Sequence, residues 1–371
     1  MRIAIDITSI PVKKAGVGLY VLKLIDQLQT IDQTNQYLIF IRRRDINNIN
    51  IRNPNFKLYS VRHFSRVHGI VWEQLVLPFI LLRKKVKVLH SPHYTCPFLK
   101  LGWKQVITFH DMTYFLFPKR HRFWHVLFFR FIMKRSIHIA DAIMADSEST
   151  KNDILKYFKL DPEKITTVHL GVSNDYMPQA DGRAKESIVQ KYQLPSPDYI
   201  LFVGTLEPRK NIQGLIKAFA LIAKAFPKLV LVVAGQKGWH YEEIFKLVRE
   251  NNLNDKIIFT GYVAESELPK LFAGAKLFIY PSFYEGFGLP VLEAMACGIP
   301  VITSNISSMA EIASGAARLI NPDRIEEIAN EIQLVLSNDQ LSKQLAEKGL
   351  ARTKMFSWKK MAEQNLLVYS S

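Results

Sequence analysis

Two glutamates separated by seven residues, Glu285 and Glu293, bracket the string Gly286-Phe287-Gly288-Leu289-Pro290. A carboxylate only accepts hydrogen bonds and can take two O–H groups, so such a pair suits two separate points on one polyhydroxylated ligand. Glycines on both sides of an aromatic at a helix start leave backbone N–H groups for ligand oxygens, with the positive end of the helix dipole behind them. That chemistry fits a hydroxyl-rich, anionic guest. Upstream, Arg209 and Lys210 are adjacent, one a planar fork and the other a point charge. They read either as a solvated corner or as a clamp for a diphosphate. Glu285 and Glu293 also have a plain reading as a loop charge and an exposed helix residue, but the spacing and the flanking strands favour the site.

The elements that must position these residues follow from the apolar pattern. Residues 277–280 form a short apolar run that reads as a buried strand, turning through Pro281 and Ser282. A helix is expected to start near Pro290 and stop at Gly298, ahead of a strand over 300–303. Arg209 and Lys210 sit in a loop that begins at Gly204-Thr205, between a strand over 199–203 and a helix over 212–225. Strands over 229–234 and 257–260 end in loops that suit a nucleobase, with Tyr262 and Val263 candidates from position alone. A helix is expected to begin at Glu311.

The first half repeats the theme. A strand over 2–7 leads through a loop to Ala15-Gly16-Val17-Gly18 and a helix to about Gln29. This is not a dinucleotide fingerprint: Val21 takes the third glycine position, the loop is long, and the next strand ends in Arg42, Arg43 and Arg44 instead of an acid. It reads either as a plain turn or as a helix N-terminus for phosphate or an acceptor. A strand over 105–109 ends in His110-Asp111, a structural pair or a catalytic one. Strands are also expected over 57–61, 86–90, 142–147 and 165–169, with a capped helix over 147–158. Residues 175–198, containing Pro178, Gly182, Pro195 and Pro197, read as the linker.

Charge is lopsided. Residues 1–185 hold 29 Lys and Arg against 14 Asp and Glu, and the remainder 20 against 19. Nucleic acid, an anionic membrane or an acidic substrate would each use such an excess. No nucleic-acid-binding motif accompanies it, so nucleic acid is not expected as a partner. Within residues 117–139, Trp124, Leu127, Phe128, Phe131 and Ile132 recur at helical spacing among basic residues, a pattern shared by core packing and a headgroup-facing surface. The opening MRIAIDITSI contains Asp6 and reads as a strand, not a signal peptide. No uncharged apolar run approaches the roughly 18 residues of a span, since Glu73 and Gln74 interrupt residues 69–82. Two cysteines, Cys96 and Cys297, provide no disulfide framework or metal spacing, so a cytoplasmic location is expected.

The string from Glu285 through Glu293-Ala294 resembles the E-x7-E signature of the retaining GT-B glycosyltransferases of family 4. The resemblance spans the chain and is specific from about Tyr199 to Glu311. It implies an α/β fold of two doubly wound Rossmann-like domains facing across a cleft. The acceptor domain would occupy residues 1–180, with residues 356–371 crossing back to it, and the nucleotide-sugar domain residues 187–355. By the same resemblance Arg209 and Lys210 grip the diphosphate, Gly16 lies beside it, and His110 stands near the sugar. Glu285 and the Gly286, Phe287, Gly288 and Leu289 backbone hold the sugar, with Gly204 beside the donor and Glu293 on the ribose. Thr205 departs from the family, many of whose members have an arginine there, which puts the number of phosphate contacts in question. It also resembles the branch that uses GDP-mannose; UDP-sugars remain the other donor class.

The expected reaction is transfer of a hexose, mannose favoured, to a glycan or lipid-linked acceptor in cell-surface polysaccharide or glycolipid synthesis. The resemblance implies no cofactor and no obligatory metal, and the chain lacks a DxD-like acidic pair. An anionic membrane surface is the expected further partner, at the inner face of the cell membrane. Two other classes stay open: another GT-B-like enzyme, such as a nucleotide-sugar epimerase or phosphorylase, and a non-catalytic basic nucleic-acid-binding protein.

Overall fold

The computed structural model describes residues 1–10, 16–62, 66–118, 123–179, 183–239 and 241–371. The chain divides into two compact units, Met1–Gly171 with Trp358–Ser371, and Val172–Ser357. Each is built on a parallel sheet, which is why its strands read as almost unbroken apolar runs: helices cover both faces.

In the first unit the strands are β1 Arg2–Asp6, β2 Gln36–Arg42, β3 Phe56–Val61, β4 Val88–Ser91, β5 Lys104–Phe109, β6 Ala142–Ala145 and β7 Ile165–Thr167. Their order, β3-β2-β1-β4-β5-β6-β7, reverses direction beside β1. In such sheets ligands gather at the carboxyl edge where the order reverses. Phe109, Met133, Ile137 and Ile143 pack one part of the core, and Leu38, Phe40, Leu77, Leu89 and Trp103 another.

The second unit contains β8 Tyr199–Val203, β9 Val230–Ala234, β10 Ile257–Gly261, β11 Leu277–Tyr280, β12 Val301–Ser304 and β13 Arg318–Ile320, ordered β10-β9-β8-β11-β12-β13. Here the reversal lies at β8 and β11, whose carboxyl ends lead to Arg209-Lys210 and to Glu285. Gly235 closes the neighbouring β9 at φ +152°, and a Cβ there would stand 1.9 Å from the Gly204 carbonyl oxygen. That approach admits only glycine.

Three expectations change. The stretch over 175–198 is not simply a linker: it contains the helix Arg183–Lys191, which packs against the helix Leu268–Ala273 of the second unit. The chain passes between the units at Gly171 and again at Ser357. Glu311 does not start a helix; it lies in the later part of Ser307–Ala313. His110 pairs with Asp146 from the end of β6, whereas Asp111 accepts from its own neighbour, Thr113. Parallel neighbours bring two strand ends side by side, so the partner is distant in sequence. Ala15, residues 119–122 and Gly182 lie outside the described residues.

On the helix Phe123–Ile139, Ile132 is buried with Val126, Met133 and Ile137, while Phe123, Trp124, Leu127, Phe128 and Phe131 are exposed, Trp124 by 77%. No helix among the described residues is long and apolar enough to cross a membrane.

The final helix, Trp358–Ser370, completes the first unit. It packs on the helix Gly16–Ile31 and buries Trp358, Met361, Asn365 and Tyr369. Tyr369 Oη lies 2.7 Å from His90 Nδ1, the other ring nitrogen of which lies 2.8 Å from Thr108 Oγ1. Both rings are buried, so the contact has no water to replace it. Tyr369→Phe should therefore lower the stability of the first unit by about 1–3 kcal/mol, the usual cost of an orphaned buried polar group. Urea unfolding followed through this unit checks it, and an unshifted midpoint would show that the bond contributes nothing.

Candidate functional site

Glu285 is the centre of the second unit's carboxyl edge. It is buried, and it faces two cations delivered by the loop after β8. Lys210 Nζ lies 2.7 Å from Oε1 and Arg209 Nη1 2.9 Å from Oε2. Oε1 also accepts from Tyr280 Oη at 3.1 Å and Ser282 Oγ at 2.7 Å. Glu207 takes the other side of the guanidinium, 2.7 Å from Arg209 Nη2 and 3.0 Å from Nε. Two carboxylates and two cations thus leave the cluster formally neutral, which is the condition for burying charge at tolerable cost.

Local sequence explains the arrangement. Pro208-Arg209-Lys210 forms a single 3-10 turn, and Asn211 then adopts the left-handed conformation at φ 55° and caps the helix Ile212–Ile222 by accepting from Gly214 N. The reversal turns both cations toward β11. The Phe283 amide donates to the Arg209 carbonyl and Arg209 Nη1 to the Tyr284 carbonyl, so the two loops are laced together. The Glu285 backbone is held from the other side by Ser307, whose Oγ accepts from its amide, and by Ser308, whose Oγ donates to its carbonyl.

The electrostatics follow from burial and pairing. Burial alone would raise the Glu285 carboxyl, but Lys210 and Arg209 outweigh it and hold it at about 2. Burial also works against the charge on Arg209, where Glu285 and Glu207 prevail and raise its pKa. For Lys210 burial wins, assisted by the Arg209 charge against the pull of Glu285, and its pKa is lowered.

Donor capacity remains after this lacing. Lys210 donates to Glu285 and to Tyr280 Oη, which leaves one of its three N–H groups among the described contacts. Arg209 directs Nε and one Nη2 proton to Glu207 and its two Nη1 protons to Tyr284 and Glu285, which leaves one N–H. Among the described residues Glu285 Oε2 accepts only from Arg209 and keeps a lone pair for a hydroxyl. The cluster therefore offers two positive donors and one acceptor side by side.

Gly288, at φ 101°, precedes the helix Leu289–Ala296, in which Pro290 occupies the first turn. The Phe287 side chain is buried against Phe356, with ring centroids 6.1 Å apart, so the aromatic anchors the loop. Glu293 lies one to two turns along. Burial, with the Glu265 charge adding to it and the Tyr176 hydrogen bond opposing, pushes its carboxyl up to about 7. Gly204 sits beside Lys210, whose Cε would be 3.7 Å from a Cβ there. Val263 is buried and Tyr262 is 72% exposed beyond the edge strand β10, so neither joins the cluster around Glu285.

Two candidates belong to the first unit. Gly16 is exposed at φ +54° and opens the helix Gly16–Ile31. His110 Nδ1 is 2.7 Å from Asp146 Oδ2 and Nε2 3.0 Å from the Pro92 carbonyl. Both partners only accept, so both ring nitrogens carry protons. Burial opposes the resulting charge, but Asp146 and the Pro92 carbonyl outweigh it and raise the pKa.

Glu207, Tyr280, Ser282, Ser307 and Asp146 were not found from sequence. Glu207 sits two residues before Arg209, a spacing that gives a weak signal; the hydroxyls have none, because they converge only through the fold.

The family model described as Glycosyltransferase Family 4 matches residues 15–176, and that described as Glycosyl transferases group 1 matches residues 184–352. O-antigen chain mannosyltransferase B of Escherichia coli is 32% identical over 381 residues, spanning 100% of this chain and 99% of the relative. Sucrose-phosphate synthase from Thermosynechococcus elongatus superposes with a TM-score of 0.79 at 21% identity, covering 100% of this chain and 98% of that one. Anabaena HepE, solved with UDP and glucose, gives 0.77 at 17% identity and covers 100% of both chains. The two structures speak for the fold alone.

Glu285, ordinarily titrating near 4.5, sits at about 2 in the folded chain. Its ion pairs thus contribute stability that is complete above about pH 4.5 and is lost as the pH falls through about 2. Glu285→Gln should remove that part of the acid profile. At neutral pH it should cost about 3–5 kcal/mol, because the buried Lys210 loses its counter-charge and Arg209 loses one of its two. Denaturant midpoints at pH 7 and pH 3 test this, and equal midpoints for variant and parent at pH 7 would contradict it.

Proposed function

This chain belongs to glycosyltransferase family 4, and from that membership we propose that it transfers mannose from GDP-mannose, with retention of configuration, to a lipid-linked or polymer-bound glycan. It is a GT-B glycosyltransferase that moves a hexose from a nucleotide sugar to a glycan acceptor in polysaccharide synthesis. The name of the full-length Escherichia coli relative, a mannosyltransferase of O-antigen chains, supports mannose as the sugar and a growing cell-surface polysaccharide as the product. The UDP and glucose in Anabaena HepE keep UDP-sugars as the alternative to be assayed.

The observation that carries the assignment of the site is the buried Glu285 held between Arg209 and Lys210 with one N–H of each cation left over. In the reaction the bond from the anomeric carbon to the diphosphate oxygen breaks and a bond to an acceptor hydroxyl oxygen forms. The hydroxyl proton passes to the departing diphosphate. Charge grows on that diphosphate, so preorganised donors act most strongly there. We assign Arg209 and Lys210 to it, with the Gly16 turn beside it. Glu285 Oε2 takes a sugar hydroxyl, the backbone of Gly286–Leu289 steadies the sugar, and Glu293 binds the ribose. His110, locked by Asp146 and Pro92, would present a fixed charge to the sugar; with both nitrogens engaged it is no proton acceptor. Gly204 lets the donor approach the strand end, and Tyr262 and Val263 are assigned to the nucleobase by position.

The exposed Phe123, Trp124, Leu127, Phe128 and Phe131 lie on the unit with nearly all the net positive excess, alongside the exposed Lys134 and Arg135. That combination suits an anionic headgroup layer at the inner face of the membrane.

Lys210→Ala should reduce turnover roughly 100-fold, equivalent to about 2.7 kcal/mol on the barrier. Glu293→Ala should chiefly raise KM, because a ribose contact is made equally before and at the transition state. Steady-state transfer from GDP-mannose and UDP-sugars checks both, and full turnover by Lys210→Ala would remove the site assignment. For the membrane face, binding to anionic vesicles should weaken with salt and with Trp124→Ala. Equal partitioning onto neutral vesicles would count against it.

A further inference from the structure

Three side chains unused by the donor site meet inside the first unit. Asp6 ends β1, Glu73 belongs to a π-helical turn, Trp72–Val76, and His93 follows β4. All three are buried, and one ligand atom from each lies within 4.8 Å of the other two. β1 and β4 are neighbours at the point where the strand order reverses. Single π turns inside helices frequently mark functional positions.

The hydrogen bonds leave one atom unaccounted for. Asp6 Oδ1 accepts from the amide and hydroxyl of Thr8 at 3.0 and 2.8 Å, whereas Oδ2 is buried and has no partner among the described residues. Thr95 Oγ1 donates to Glu73 Oε1 at 3.0 Å and lies 2.8 Å from His93 Nδ1, so this ring nitrogen is on the Glu73 side. Thr95 N donates to Nδ1 at 3.1 Å, which places the ring proton on Nε2, donating to Ser9 Oγ at 2.6 Å. Among the described residues no lysine or arginine pairs with either carboxylate.

Two buried carboxyls this close relieve their repulsion by taking up a proton or by surrounding a cation. A shared proton would set an O–H···O contact of about 2.5–2.7 Å. Asp6 Oδ2 makes no such contact, although a buried oxygen without a partner is costly. A cation with bonds of about 2.0–2.2 Å keeps its ligands no more than about 4.4 Å apart, a spread that this trio reaches with slight closure. It would also neutralise both carboxylates. Nδ1 would exchange its contacts with Thr95 for the cation, with the Nε2–H bond to Ser9 orienting the ring as outer hydrogen bonds of ligating imidazoles do.

We propose that Asp6, Glu73 and His93 form a site for one divalent cation that accepts both carboxylate and imidazole, Mn2+ or Zn2+, and that ties the ends of β1 and β4 to the π-helical turn. Two carboxylates and an imidazole favour these ions over Mg2+ or Ca2+, which prefer oxygen alone. The site is structural and takes no part in the chemistry assigned to the diphosphate, so the two readings stand or fall separately.

The test uses the full chain, stripped by a chelator and free of nucleotide. MnCl2 is titrated while the signal of free Mn2+ is followed by electron paramagnetic resonance, and ZnCl2 is titrated with the melting temperature as readout. One equivalent of either cation should bind, with a rise in melting temperature. Glu73→Gln and His93→Gln should each weaken binding by roughly 100-fold or more. Asp6→Asn should do the same, its fold checked by circular dichroism; if it does not fold, the other two variants decide. A parent chain that binds neither cation overturns the proposal and leaves protonation as what relieves the two carboxyls. Binding of undiminished affinity in Glu73→Gln and His93→Gln overturns it as well.

Discussion

The second unit depends on burying the Glu285 carboxylate among Lys210 and Arg209. An ionised carboxylate out of water is tolerable only when its charge is met at close range, and both cations come from one turn, Pro208–Lys210. That turn has to reverse at Asn211 in a left-handed conformation, and the strands β8 and β11 must lie side by side for the loops to meet. Tyr280 and Ser282 complete the shell at Oε1, while Ser307 and Ser308 hold the backbone. The result is a laced, formally neutral cluster in which Lys210 and Arg209 each keep one N–H among the described contacts. A ligand anion then needs to displace little water and reorganise no side chain, which is the condition under which fixed dipoles and charges act most strongly on a reaction.

Much of this was legible in the chain. The near-continuous apolar runs at 199–203, 229–234 and 277–280 could only be strands covered on both faces, and the glycine loop after the third of them pointed to a helix N-terminus. Glu285, Arg209 and Lys210 were readable as ligand-binding types. Their mutual ion pairs were not, because nothing in linear spacing says that residues 75 positions apart share a loop contact. His110 shows the same limit. Its adjacent acid, Asp111, was the obvious partner, yet parallel pairing of β5 with β6 sets Asp146 opposite it. The trio of Asp6, Glu73 and His93 escaped notice for this reason too, since a metal search by sequence looks for close spacing, and here three elements contribute one residue each. The helix Arg183–Lys191 was hidden by the prolines and glycine around it, which mark ends of elements as readily as a linker.

Unequal charge between the units fits a division of labour. The first unit has nearly the whole positive excess and a helix face with exposed aromatic rings, whereas the second keeps its charges paired within a neutral cluster. A bulk positive field attracts anionic surfaces over a Debye length, while a buried ion pair acts only across a contact. Electrostatics of long range and of short range are thereby assigned to different parts of one chain.

The helix Trp358–Ser370 gives the chain an unusual history as it leaves the ribosome. Residues 1–171 are made first, but the core that holds His90 and Tyr20 lacks Tyr369 and Asn365 until the entire second unit has been translated. At typical rates of roughly 5–20 residues per second, that interval is on the order of 10–40 s. Throughout it the earlier-made unit lacks the helix that packs along Gly16–Ile31. The later-made unit is contiguous, Val172–Ser357, and has all its strands in hand, so the chain is finished in the reverse of the order in which it is written.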